Sequence, residues 1–142
     1  TFGCGFKVLD KSEVNNFFIK EIKSTGNKSI NFNLKNKIIN NSKKDSQNVL
    51  LIDLTTKKRK EIKEKNIKNQ ITKYLTTITA NVKFYIIEKN TTITFDISVT
   101  GDYLVGSNNV TTINNEKILV GNLVDDLSEK ILSKISLRMN DI

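Results

Sequence analysis

The chain has 142 residues and a formal net charge of +8, from 23 basic and 15 acidic side chains, with one cysteine and no histidine, proline or tryptophan. That length fits a single domain with a core of ordinary depth and no need of covalent staples. Cys4 has no partner for a disulfide within the chain, and the lack of histidine excludes the usual zinc sites and any Ser/His or Cys/His nucleophile, and with them most hydrolase mechanisms.

The chain opens Thr1-Phe2-Gly3-Cys4-Gly5-Phe6 and then, apart from Val8-Leu9, stays polar until Val14. A small residue before a cysteine this near the start matches the end of a bacterial lipoprotein signal, where the thiol receives the lipid. The first residue is Thr rather than Met, which a truncated signal peptide would also explain. The plainer alternative is an ordinary thiol near a terminus. Phe17, Phe18, Ile19 and Ile22 form a short apolar cluster that Ser24-Thr25-Gly26-Asn27 ends, and this reads as a first strand. From Ser29 to Asn40 the apolar residues Ile30, Leu34 and Ile38 recur every four positions, an amphipathic helix with Ser29 placed as its cap and weakened by its asparagines. Asn40-Asn41-Ser42-Lys43-Lys44-Asp45-Ser46 is a loop by composition.

Val49 to Leu54 begins a second strand that runs into Lys57-Lys58-Arg59-Lys60 and past Ile62. Between Lys57 and Lys73 stand eight basic and two acidic residues, a local +6 that accounts for most of the net charge. With only Ile62 and Ile67 apolar before Ile71, this segment is too polar for a core and is expected to project at the far end of a hairpin.

The stretch from Gln70 to Val99 is the hairpin around which the rest is organised. Tyr74, Ile78, Ala80, Val82, Phe84 and Ile86 share one face, with Thr77, Thr79, Asn81 and Lys83 on the other. After Glu88-Lys89-Asn90 the alternation resumes, with Ile93, Phe95, Ile97 and Val99 inward and Thr92, Thr94, Asp96 and Ser98 outward. Gly101-Asp102 and Gly106-Ser107-Asn108-Asn109 loosen the chain, although Tyr103 to Val105 can prolong the strand. From Lys117 the period changes to a helical stripe through Val120, Leu123, Val124, Leu127, Ile131, Leu132 and Ile135, with Asp126 and Lys130 as an i, i+4 pair.

The order strand, helix, strand, strand, strand, helix predicts an α+β two-layer sandwich, with two helices packed on one face of a four-stranded mixed sheet. The other face, lined with Thr, Asn, Lys and Ser, is left wet or meets a polar surface. No apolar run approaches the roughly 18 residues that cross a bilayer.

A basic excess usually marks a polyanionic partner, and clustered cations at a hairpin end can chelate several phosphates. Part of the lysine content discounts itself, since a chain crowded with Lys, Asn and Ile is also what an A+T-rich coding sequence imposes. Nucleic acid is the less suitable polyanion: Tyr74 is the only ring near the basic segment, and Arg59 and Arg138 are the only arginines. Asp125-Asp126 point in different directions and read as a solvated helix face, and the six glycines form no phosphate-cradling pattern. No catalytic residue, metal site or cofactor is expected.

The Gly3-Cys4-Gly5-Phe6 opening, Gln70-Ile71-Thr72-Lys73-Tyr74 leading into a long Thr-rich strand, and the closing helix in which Asp126-Leu127 leads to Lys130-Ile131-Leu132 together resemble the LPS-assembly lipoprotein LptE family of Gram-negative outer membranes. The resemblance covers nearly the whole chain. The family often has a Pro-Leu pair soon after its opening, where this chain has Lys7-Val8-Leu9. The resemblance implies a non-enzymatic lipoprotein in which residues 1–4 are a signal-peptide remnant with Cys4 the acylated (palmitate-bearing) residue, and 5–142 a single periplasmic domain. It further implies a lipid anchor in the outer membrane, an LptD-type β-barrel protein as partner, and lipopolysaccharide as cargo. Charge and position, rather than a family motif, nominate Lys58, Arg59, Lys60, Lys65 and Lys68 to meet its phosphates. The competing readings are another periplasmic lipoprotein, of transport-auxiliary or pilotin type, and a small basic nucleic-acid-binding domain of the cytoplasm.

Overall fold

The computed structural model describes residues 16–43 and 46–141. Cys4 and the opening motif, with the boundary between residues 1–4 and the domain, lie outside the described residues. The elements are β1 (Phe18–Gly26), α1 (Lys28–Asn40), β2 (Val49–Lys65), β3 (Ile71–Ile86), β4 (Thr91–Leu104) and α2 (Asn109–Asn140). The sheet has the order β1-β2-β3-β4; β1 is parallel to β2, and the other two pairs are antiparallel. A parallel pair needs a crossover, which α1 supplies. The expected α+β two-layer sandwich on a four-stranded mixed sheet is the observed architecture.

Both helices lie on one sheet face, α1 over β1 and β2 and α2 over β4 and β3. Leu50, Ile52 and Leu54 of β2 and Ile78, Ala80, Val82, Phe84 and Ile86 of β3 are buried there, as strict alternation requires. Leu34 and Ile38 of α1 and Leu127, Ile131 and Ile135 of α2 close the core from above, all of them fully buried. In β1 the inward residues Ile19 and Ile22 are three apart, a spacing that plain alternation forbids; a register shift between Ile19 and Glu21 resolves it. Lys37 of α1 reaches Asp125 of α2 at 2.5 Å and ties the two helices together above the sheet.

Two expectations need correcting. The cap of α1 is Asn27, whose side-chain oxygen accepts the Ile30 amide at 3.0 Å, and not Ser29, which lies inside the first turn. The last helix starts at Asn109 rather than Lys117: Asn108 Oδ1 accepts the Thr111 amide at 2.8 Å and nucleates two further turns. Those turns escape a periodicity reading because Val110 and Ile113 stay exposed and off the core stripe.

Candidate functional site

Alternation that buries one face of the sheet leaves the other to short polar side chains, and these bond to one another across the strands. Thr25 pairs with Thr55 at 3.1 Å, Thr77 with Thr100 at 3.1 Å, and Thr79 with Ser98 at 3.0 Å. Asn81 donates to Asp96 at 2.8 Å, and the Tyr85 hydroxyl donates to Asn90 at 2.7 Å. Each pair sits on directly opposed residues, or, for the last, across the β3–β4 turn. The face is therefore an ordered array of hydroxyls and amides rather than a loose polar coat.

Beyond Thr56, where β1 ends, β2 and β3 run on as a ribbon that β4 still flanks on the β3 side as far as Lys73↔Leu104, with register shifts between Ile62 and Glu64 and between Glu64 and Lys65. Asn66 builds the turn at its tip. Its side-chain oxygen accepts the amides of Lys68 at 2.9 Å and Gln70 at 3.0 Å, its carbonyl accepts the Asn69 amide at 2.9 Å, and Asn69 takes φ 64°. Asparagine is among the few side chains that tolerate that backbone region.

The ribbon does not gather the nominated cations on one surface. Even-numbered residues of β2 face the helix layer and odd-numbered ones the open face, so Lys58 and Lys60 diverge from Arg59. Lys58 Nζ lies 2.9 Å from Glu116 Oε2 on α2, a contact that exists because the early turns of α2 bring Glu116 within reach of the long Lys58 side chain. Lys60 Nζ stands 4.7 Å from the Tyr74 ring centroid, and Tyr74 packs on Tyr103 at 5.6 Å between centroids. Arg59 Nε bonds Glu61 at 2.9 Å on the open face. Lys65 ends the strand and Lys68 belongs to the turn; among the described residues neither makes an ion pair. Two further bases are engaged by carboxylates, Lys63 by Asp102 and Lys73 by Glu64 at 3.9 Å.

The charged groups shift one another. Partial desolvation works to lower the Lys60 pKa, but Tyr103, Glu116 and Tyr74 together outweigh it, so the ammonium is held above its ordinary value. Burial, and next the Glu116 charge, raises Tyr103, whose hydroxyl has no hydrogen-bond partner among the described residues. The hydrogen bond from Lys63 lowers Asp102, against slight desolvation and with help from the Lys63 and Lys73 charges. The Lys60, Tyr74, Tyr103 and Glu116 cluster is the feature that sequence reading missed. Tyr103 is inward by parity with Val99, which was a usable signal, but Glu116 lies on turns of α2 that the helical stripe does not reach.

Among the described residues no three His, Cys, Asp or Glu side chains converge as a metal cluster would, and no helix is long and apolar enough to cross a membrane. No family model matches the chain, and no curated protein matches it. Solved structures do. The rare lipoprotein B from Shewanella oneidensis is 15% identical, with a TM-score of 0.66 over 86% of this chain and 98% of that one. The uncharacterized lipoprotein B from Nitrosomonas europaea is 13% identical, with a TM-score of 0.62 over 96% and 94%. A minor lipoprotein from Acinetobacter baumannii is 13% identical, with a TM-score of 0.53 over 84% and 94%. At these identities the likeness is one of fold, and it extends over nearly the whole of each chain.

Proposed function

We propose that this chain is the folded domain of an outer-membrane lipoprotein of the LptE type, anchored through a lipid on Cys4, which plugs an LptD-type β-barrel, supports its assembly and assists lipopolysaccharide transport to the cell surface. The observation that carries this reading is the open sheet face. A two-layer domain whose second face is a hydrogen-bonded array of Thr, Ser and Asn suits the hydrated, polar wall of a wide barrel. The sharing of the fold with three proteins named as lipoproteins supports it. The role is non-enzymatic, with the β2–β3 ribbon as the part directed toward anionic lipid.

Within that ribbon the nominated bases differ in how far other side chains already engage them. Lys65 and Lys68 are the most available to phosphate, Lys60 keeps its charge beside Tyr74, and Lys58 and Arg59 must first leave Glu116 and Glu61. Four of the eight bases between Lys57 and Lys73 already hold carboxylates, which leaves no continuous stripe of the kind a nucleic acid would track. Two experiments test the reading. The mass of the N-terminal peptide from the protein matured in a Gram-negative host should show acyl chains on Cys4, and a barrel protein should co-purify with it. Changing Arg59, Lys60, Lys65 and Lys68 together to Glu should reduce binding to lipopolysaccharide at least tenfold, about 1.4 kcal/mol or more; unchanged binding removes the ribbon from the mechanism.

A further inference from the structure

The two edges of the sheet are built differently. β1 is nine residues long, carries the register shift after Ile19, and presents Lys20, Glu21 and Lys23, the ordinary devices that discourage a further strand from adding. β4 has fewer of them, with Asp96 and Asp102 its only charges. Its 14 residues, Thr-Thr-Ile-Thr-Phe-Asp-Ile-Ser-Val-Thr-Gly-Asp-Tyr-Leu, include no Lys, Arg or Pro, and its register with β3 runs unbroken from Ile86↔Thr91 to Lys73↔Leu104.

The Val105 amide donates to Thr72 O at 3.0 Å, which sets the phase of the ladder: odd-numbered residues of β4 bond to β3, and even-numbered ones turn both N–H and C=O away from the sheet. The outward groups belong to Thr92, Thr94, Asp96, Ser98, Thr100, Asp102 and Leu104. Asn115 Nδ2 takes the Leu104 carbonyl at 2.9 Å; among the described residues no other element bonds the rest. The side chains from Thr92 to Asp102 in this series are short and exposed, so approach to the backbone is open.

We infer that in the chain free of the proposed barrel β4 pairs antiparallel with β4 of a second copy about a two-fold axis, joining two four-stranded sheets into one of about eight strands with all helices on one face. Outward residues must oppose outward residues, so the axis passes through a residue near the middle of the strand. With the axis at Ser98, Asp96 faces Thr100 of the second copy and Asp102 faces its Thr94. With the axis at Ile97 the acids face Ser98 and Thr92, whereas one at Val99 would set Asp96 against Asp102 and is disfavoured by charge. The inward row gains as well. Ile97 is only partly covered while Phe95 and Val99 beside it are buried, and the Ser98-centred register lays Val99 of the second copy against it. About a dozen backbone hydrogen bonds form, the number usual for a specific interface. The guarded β1 edge keeps the association closed at two copies.

The test is sedimentation equilibrium of the 142-residue chain from low micromolar to several hundred micromolar concentration. The weight-average mass should climb from 16.1 kDa toward twice that value. Ser98→Pro removes an outward amide at a site where an edge strand tolerates proline, so it should keep its far-UV circular dichroism and remain monomeric; Thr94→Pro should do the same. A mass of 16.1 kDa at every concentration, or dimers that persist in both variants, would overturn the inference. Should either variant lose its fold, amide exchange of the unaltered chain decides. The Ser98 and Thr100 amides should slow by tenfold or more at high concentration, and equal rates at both concentrations would overturn the pairing.

Discussion

Asn27 and Ser29 are both residue types that cap helices, and only one does so here. The choice is made by Gly26, which takes φ +106° with the place of a Cβ only 2.0 Å from the Thr56 carbonyl. The strand therefore leaves β2 at that point, and the next residue, Asn27, is the first in extended backbone with a free side-chain oxygen. Replacing Asn27 by Ala should cost about 1 kcal/mol in urea denaturation, while Ser29→Ala should leave the midpoint nearly unmoved. At the far end of the sheet, Lys63 donates to Asp102 and keeps its pKa low. Lys63→Ala should let that pKa climb toward the ordinary carboxylate value in an NMR titration. Because the folded carboxyl is the stronger acid, its contribution is present above the unfolded pKa and fades as pH falls through the folded one. Solvent screening keeps it small, and stability at neutral pH should hardly change.

Strand β2 behaves as two elements joined end to end. From Val49 to Thr56 it alternates over a buried core, and from Lys57 to Lys65 every residue is exposed and the ladder is held only by β3 and by scattered ion pairs. Backbone bonds of an exposed strand at the border of a sheet exchange by local opening. Amides of Ile52 and Leu54 should exchange only with global unfolding, and those of Arg59 and Glu61 about tenfold or more faster, by NMR under native conditions. Helix α2 divides in the same way. Its half from Leu123 onward carries the core stripe and was legible from periodicity; its first turns hold Glu116 over Lys58 and were not, since their apolar residues face solvent.

At the scale of the whole molecule, one continuous core links both helices to the sheet. Leu127 is fully buried within it. Leu127→Ala should therefore destabilise the protein by about 2–5 kcal/mol, read as a lower denaturant midpoint with an unchanged slope. The open face and the ribbon contribute little to that core, so substitutions there are expected to cost little stability.

The sequence by itself determined which residues face inward and how many layers result. Period-2 alternation in β3 and β4 and the stripe from Val120 to Ile135 record burial directly, because water penalises each apolar side chain on the wrong face. Tertiary structure alone decided where the cations go. Lys58, Arg59 and Lys60 are neighbours in the chain but are split between opposite faces by the pleat. Their partners Glu116 and Tyr74 come from other elements, and no local pattern encodes which distant carboxylate or ring will arrive beside a given lysine. The same holds for the free edge of β4. Its composition was in plain view, but only the strand order placed it at the border of the sheet.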